Sequence, residues 1–195
     1  MRNCFRFRGV LGLAALACAI MLAPAARAQE SVVKLDPAQT KITFTVDSTL
    51  HNVHGTFQLK SGTIRFDTST GKASGSIVVD ATSGGTDSKA RDKKMNEEVL
   101  ESAKFQEIVF TPNRVLGAIP AAGTSHVKVS GAFRLHGQDH DLTLDLAVLA
   151  GSGGRLQVTT DFEVPYIDWG LKDPSSFILR VNRVVNVHIV AIVQQ

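Results

Sequence analysis

Cysteine, tryptophan and tyrosine are nearly missing from this chain of 195 residues, which holds two Cys, one Trp and one Tyr. Both cysteines, Cys4 and Cys18, lie in the first segment. With that segment cut away, no thiol remains for a disulfide, for nucleophilic catalysis or for a thiolate-bound metal. There is no Gly-x-Ser-x-Gly elbow and no phosphate-binding loop. No period of about 20–50 residues repeats, no low-complexity tract appears, and no linker divides the chain. These absences exclude repeat architectures and the common nucleophile and nucleotide motifs.

The chain opens on an address. Arg2, Arg6 and Arg8 make a basic start, and residues 10–22 form an apolar run too short to span a bilayer comfortably. Ala26-Arg27-Ala28 then supplies small residues at cleavage spacing. We read residues 1–28 as a secretory signal peptide and residues 29–195 as one exported domain, long enough for a single sizeable core. Ala15 stands where a lipobox takes leucine, which argues against a lipid anchor at Cys18. The whole chain carries 21 basic and 18 acidic side chains. Loss of Arg2, Arg6, Arg8 and Arg27, with no acid removed, brings the remainder close to neutrality. The pI of about 9.0 therefore belongs largely to the leader, and a nucleic-acid partner loses its electrostatic basis.

Beyond the leader the pattern has period two. After a lead through Val33, Leu35 and Pro37, residues 41–47 place Ile42, Phe44 and Val46 on one face. Val53, Gly55, Phe57 and Leu59 start a second face, and Lys60-Ser61-Gly62 reads as a hairpin turn into Ile64 and Phe66. Ala73, Gly75, Ile77 and Val79 follow. Pro112 is expected to end the strand containing Phe110. Three further alternating runs hold Phe133, Leu144 and Phe162, and a last apolar segment spans residues 177–193. One stretch, residues 88–110, breaks the alternation. Its Met95, Val99 and Leu100 fall at helical spacing, Thr86, Asp87 and Ser88 are candidate N-caps, and Phe105, Ile108 and Phe110 return the chain to a strand. The expected fold is all-β: about eight antiparallel strands with one helical insert, as a sandwich or a closed barrel. Small inward residues such as Ala73, Gly75 and Gly131 favour a barrel with internal room.

Several pieces, in order, resemble the YceI family of polyisoprenoid-binding, lipocalin-like domains. They are His51 before Val53-His54-Gly55-Thr56-Phe57, and then Gly62-Thr63-Ile64-Arg65-Phe66-Asp67. Next comes Arg91-Asp92 with Met95, Val99-Leu100, Phe105, Ile108 and Phe110, and last Ser130-Gly131-Ala132-Phe133-Arg134-Leu135-His136-Gly137. The resemblance covers about residues 33–193. Two positions depart from the common pattern: Phe105-Gln106 replaces an aromatic–proline pair, and Tyr166 stands where many members place arginine ahead of a turn like Asp168-Trp169-Gly170. The resemblance implies a lipocalin-like antiparallel barrel whose apolar interior holds an isoprenoid or similar amphiphile. On that reading the inward wall comprises Phe44, Val46, Phe57, Phe66 and Ile77 from the first strands. Met95, Val99, Leu100 and Phe105 come from the insert, pointing into the cavity as a cap. Phe110, Phe133, Leu144, Phe162 and Trp169 complete it.

The remaining chemistry is sparse. His51 with His54, and His136 with His140, have metal-like spacing, but they sit in strand and turn sequence, where residues three apart face opposite sides. Turn and head-group roles are the default, with a His51–His136 meeting at one barrel mouth left open. Arg91-Asp92 reads as a helix-start contact, and Glu97, Glu98 and Glu101 as a solvated face, rather than as acid–base machinery. The expectation is an exported, non-enzymatic binding protein for a long apolar lipid, with no metal or cofactor, acting in a bacterial periplasm or secreted. Contact with a membrane surface and a homodimer stay open. The rival readings are an interaction or stress-response protein with a purely structural barrel, and a histidine–metal enzyme.

Overall fold

The structure, a computed structural model, describes residues 30–194; the signal-peptide reading lies outside them. Eight antiparallel strands close into one barrel in sequence order, so each strand pairs with its neighbours and β8 returns to β1. They are β1 (Glu30–Val46), β2 (Val53–Asp67), β3 (Ala73–Thr86), β4 (Glu107–Leu116), β5 (Thr124–Leu135), β6 (Gln138–Ala150), β7 (Arg155–Val164) and β8 (Val185–Gln194). Helix α1 (Lys89–Lys94) continues into a wider π-type turn, Met95–Val99, between β3 and β4.

Up-and-down order sorts the connections between two ends. Residues 47–52, the helical insert, the His136-Gly137 turn and residues 165–184 gather at one end, and the other links lie at the opposite end. The β5–β6 hairpin is made by His136 and Gly137, both with positive φ (52° and 78°), which matches the twist of the flanking strands.

The alternating faces predict the inward residues of β5, β6 and β7, and the structure buries Val127, Val129, Leu144, Val148 and Leu156 in one core with Phe66, Phe110, Val115, Ala191 and Val193. That core fills the end opposite the insert.

Four expectations about elements need correction. Residues 60–62 are not a turn. β2 runs through them, and an extra residue between Leu59 and Ser61 slips the register against β3. This bulge exchanges the inward parity, so Val53, Gly55 and Leu59 are buried before it and Gly62 and Phe66 after it. The sequence shows the same phase break either way. Pro112, fully buried, does not end β4; it sits opposite Gly131 beside a second register slip, and the strand continues to Leu116. The last strand begins only at Val185, because Phe177 and Ile178 are 98% and 81% exposed on the loop before it. Finally, the inward glycines make no room. A Cβ at Gly75 (φ +116°) would overlap the Thr63 carbonyl oxygen, and one at Gly131 the Thr111 carbonyl oxygen, while Ala73 packs on the core. These glycines permit close strand approach, and the open space lies elsewhere.

Candidate functional site

That space is a cavity of about 330 Å³ in the half of the barrel beneath the insert. Its side wall carries Ile42, Phe44 and Val46 of β1, Val53 and Phe57 of β2, Val79 of β3 and Ile108 of β4. Phe133 and Leu135 of β5, Phe162 and Val164 of β7, and Val185, Val187 and Ile189 of β8 complete the ring. Met95, Val99 and Leu100 cover it from the insert, and Tyr166, Leu171, Pro174, Leu179 and Val181 from the 165–184 loop. The polar members, Ser48, His51, Thr86, Arg91 and Lys94, come from the loop end or the insert. A dry aliphatic and aromatic wall with a few polar groups at one end suits a ligand with a long apolar body and a small head.

Local hydrogen bonds seat the cap. Ser88 is the N-cap of α1 and accepts from the Arg91 amide. Asp92 turns back to β3, accepting from the Thr86 amide (2.8 Å) and hydroxyl (2.6 Å). Asn96 donates its side-chain amide to the Gly84 carbonyl (3.1 Å) and is itself held by the Ser102 hydroxyl (3.1 Å). Gly84 must be small: a Cβ there would lie 2.6 Å from the Phe57 ring and 3.0 Å from the Met95 methyl. Arg91 donates to Asp87 (2.6 Å) and to the Thr86 hydroxyl (3.2 Å), so the Arg91-Asp92 pair is a cap anchor whose two members meet on Thr86, with Asp87 held by Arg91 alone. The Arg91 guanidinium in turn holds the Asp87 carboxyl below the usual carboxylate range.

On the loop side, Tyr166 is buried with Val99, Leu135, Val164 and Leu171, and its hydroxyl donates to the Asn182 carbonyl (2.9 Å). Burial, helped by the charge of Asp173 and opposed by Arg183, pushes its phenol up to about 12. Nothing in the spacing of the sequence marks Tyr166 as wall rather than rim.

The residues expected on the wall divide into three sets. Phe44, Val46, Phe57, Met95, Val99, Leu100, Phe133 and Phe162 face the cavity. Phe66, Phe110 and Leu144 belong to the filled core at the other end, with Ile77 packed against it. Phe105 and Trp169 do not line the cavity. Phe105 lies on His136, with ring centroids 4.2 Å apart, and against Gly137. Trp169 stacks on His140 at 4.2 Å, interplanar angle 6°, and meets the Phe133 ring with centroids 5.7 Å apart. The chain leaves the cap through Glu101, whose positive φ (46°) turns it away before Phe105 is reached, so Phe105 lands on the β5–β6 turn. Sequence reasoning missed the loop residues Leu171, Leu179 and Val181, which come from a segment with no period to read.

The four histidines singled out by spacing each have a different partner. His51 Nε2 faces Arg91 Nη2 at 3.2 Å, and His54 Nδ1 meets the Thr45 hydroxyl at 2.9 Å. His136 Nε2 meets Glu101 at 2.5 Å, and His140 lies under Trp169. Among the described residues no three His, Cys, Asp or Glu side chains are grouped to hold a metal ion. His188–Asp161 (2.7 Å) and His126–Asp145 (3.1 Å) are cross-strand pairs with largely exposed side chains.

Comparison with known proteins agrees with this architecture. A family model described as the YceI-like domain matches residues 33–192. No curated protein sequence matches the chain. Among solved structures, a polyisoprenoid binding domain from Saccharophagus degradans implicated in plant cell wall breakdown is similar, with TM-score 0.63 and 20% identity over 83% of this chain and 97% of its own. BcnA of Burkholderia cenocepacia gives TM-score 0.64 and 14% identity over 81% of this chain and 98% of its own. A Campylobacter jejuni YCEI protein gives TM-score 0.55 and 13% identity over 100% of this chain and 93% of its own. At these identities the likeness speaks for the fold.

Proposed function

The chain belongs to the YceI family, and from that premise we propose that it is an exported, non-enzymatic protein that holds a long apolar lipid, of isoprenoid type, for transport, storage or sequestration. The cavity carries this reading: about 330 Å³ walled almost wholly by aliphatic and aromatic side chains in a barrel whose other half is packed solid. A purely structural barrel would have side chains filling both halves. Each methylene moved from water into such a space contributes about 0.8 kcal/mol, so a chain can be retained without specific hydrogen bonds. The polyisoprenoid binding described for the Saccharophagus degradans domain supports an isoprenoid as the body of the ligand.

Export by the amino-terminal signal would place the protein in a bacterial periplasm. There it would meet membranes with the loop end, where Leu50, Phe177 and Ile178 stand 69%, 98% and 81% exposed. The Thr49 amide donates to the Arg180 carbonyl (3.0 Å), which ties together the two loops that carry them. Large apolar side chains exposed together beside a cavity suit a surface that takes lipid from a bilayer.

The test is to purify the protein from its native envelope, extract it with organic solvent and analyse the extract by mass spectrometry. A stoichiometric isoprenoid or related amphiphile is expected; an empty extract from protein never exposed to detergent would sink the proposal.

A further inference from the structure

A lipid held in this cavity would direct its polar head to the loop end, where the charged side chains of the wall are Arg91 and Lys94, with His51 beside them. No Asp or Glu is among the wall residues. We propose that the cavity selects amphiphiles with an anionic head, a carboxylate or a phosphate monoester, over neutral amphiphiles of the same chain. This rests on the lipid-binding reading above and specifies its ligand class.

The donor inventory sets the chemistry. A guanidinium has five N–H donors and an ammonium three, and neither accepts a hydrogen bond. Arg91 donates through Nη1 to Asp87 and Thr86, and its Nη2 meets His51 Nε2 at 3.2 Å. Because Arg91 can only donate, His51 Nε2 is the acceptor in that contact. The Arg91 Nε–H and one Nη2–H then have no protein partner among the described residues. Lys94 gives one bond, to the Pro174 carbonyl (2.9 Å), and keeps two donors. The head that meets these groups must accept.

The nearby acids do not line the cavity, and only Asp87 bonds one of its two cations. Asp87 has its side chain 88% exposed to solvent, and Asp92 is turned onto Thr86. Glu98 pairs with Lys172 at 2.7 Å. Arg91 itself is only 31% exposed, so an anion reaching it would be partly withdrawn from water, where charge-assisted bonds strengthen.

Displacement of bound N-phenyl-1-naphthylamine, a neutral apolar probe, separates the outcomes. Hexadecanoate, hexadecyl phosphate and hexadecanol compete for the lipid-stripped protein. The two anions are expected to displace the probe at roughly tenfold lower concentration than the alcohol, the size of one charge-assisted hydrogen bond. R91Q and K94Q should each shrink that gap, whereas K104Q, on an exposed lysine off the wall, should keep it. Lys94 is exposed and anchors no strand, so K94Q reads the effect even if R91Q loosens the cap. Preference for either anion supports the proposal, and which of the two wins distinguishes an acidic lipid from a phosphorylated one. Equal displacement by all three overturns the anionic head and leaves the lipid reading standing. A gap unchanged in both R91Q and K94Q overturns the assignment to these residues. Failure of the probe and of every competitor to bind would remove the lipid reading itself.

Discussion

Tyr166 gives the sharpest physical test because it is the only tyrosine in the chain. Its phenol is buried in the wall between the cap and the 165–184 loop, and its ordinary value of 10.0 is pushed up to about 12. The folded protein therefore holds the phenolic proton more tightly than the unfolded chain does. Stability from this group is whole below about pH 10 and is lost as pH rises through about 12. A shift from 10.0 to about 12 corresponds to about 3 kcal/mol at most. The perturbation is a pH series of denaturant unfolding for the wild type and Tyr166→Phe, with tyrosinate absorbance followed in parallel. The absorbance midpoint should lie well above 10 in the folded protein, and only the wild type should carry the extra alkaline loss. Tyr166→Phe should also cost about 1–2 kcal/mol near neutrality, because the Asn182 carbonyl loses its donor. A midpoint near 10, or identical pH profiles for the two proteins, would refute the buried-wall assignment.

Three further outcomes follow from the same geometry. Leu100→Glu places a charge on the cavity wall and should reduce lipid retention by at least about tenfold, whereas Phe105→Glu, off the wall, should leave retention unchanged; quantifying lipid co-purified with each variant decides this. Asp92→Ala strips the acceptor from the Thr86 amide and hydroxyl, so it should cost about 1–3 kcal/mol and speed hydrogen exchange in residues 89–99 before the strands exchange. Gly75→Ala should lower the unfolding midpoint by more than Gly123→Ala does. Both have positive φ, but only Gly75 would press a Cβ into a neighbouring backbone, while Gly123 has nothing within 4 Å.

By itself, the sequence determined the alternation that makes this an antiparallel all-β chain, the number of strands, and the one helical insert with Met95, Val99 and Leu100 on a single face. Those are local properties: the period of side-chain direction is set by backbone geometry alone, and a polar–apolar string displays it directly. Family motifs added the barrel and the expectation of an apolar ligand. Only the tertiary structure decided which inward residues pack and which leave space. Phe66 and Phe44 look alike in the alternating pattern, yet Phe66 is in the filled core and Phe44 on the cavity wall. The difference lies in their height along the barrel: Phe44 is near the loop end of β1 and Phe66 near the opposite end of β2. The same holds for Gly75 and Gly131, which read as room in the sequence and prove to be points of strand contact. Phe105 missed the cavity because Glu101 redirects the chain, and Tyr166 reached it from a loop without periodicity. Side-chain direction follows from one strand, but a cavity is the distance between opposite walls, and that distance exists only once β8 has closed on β1.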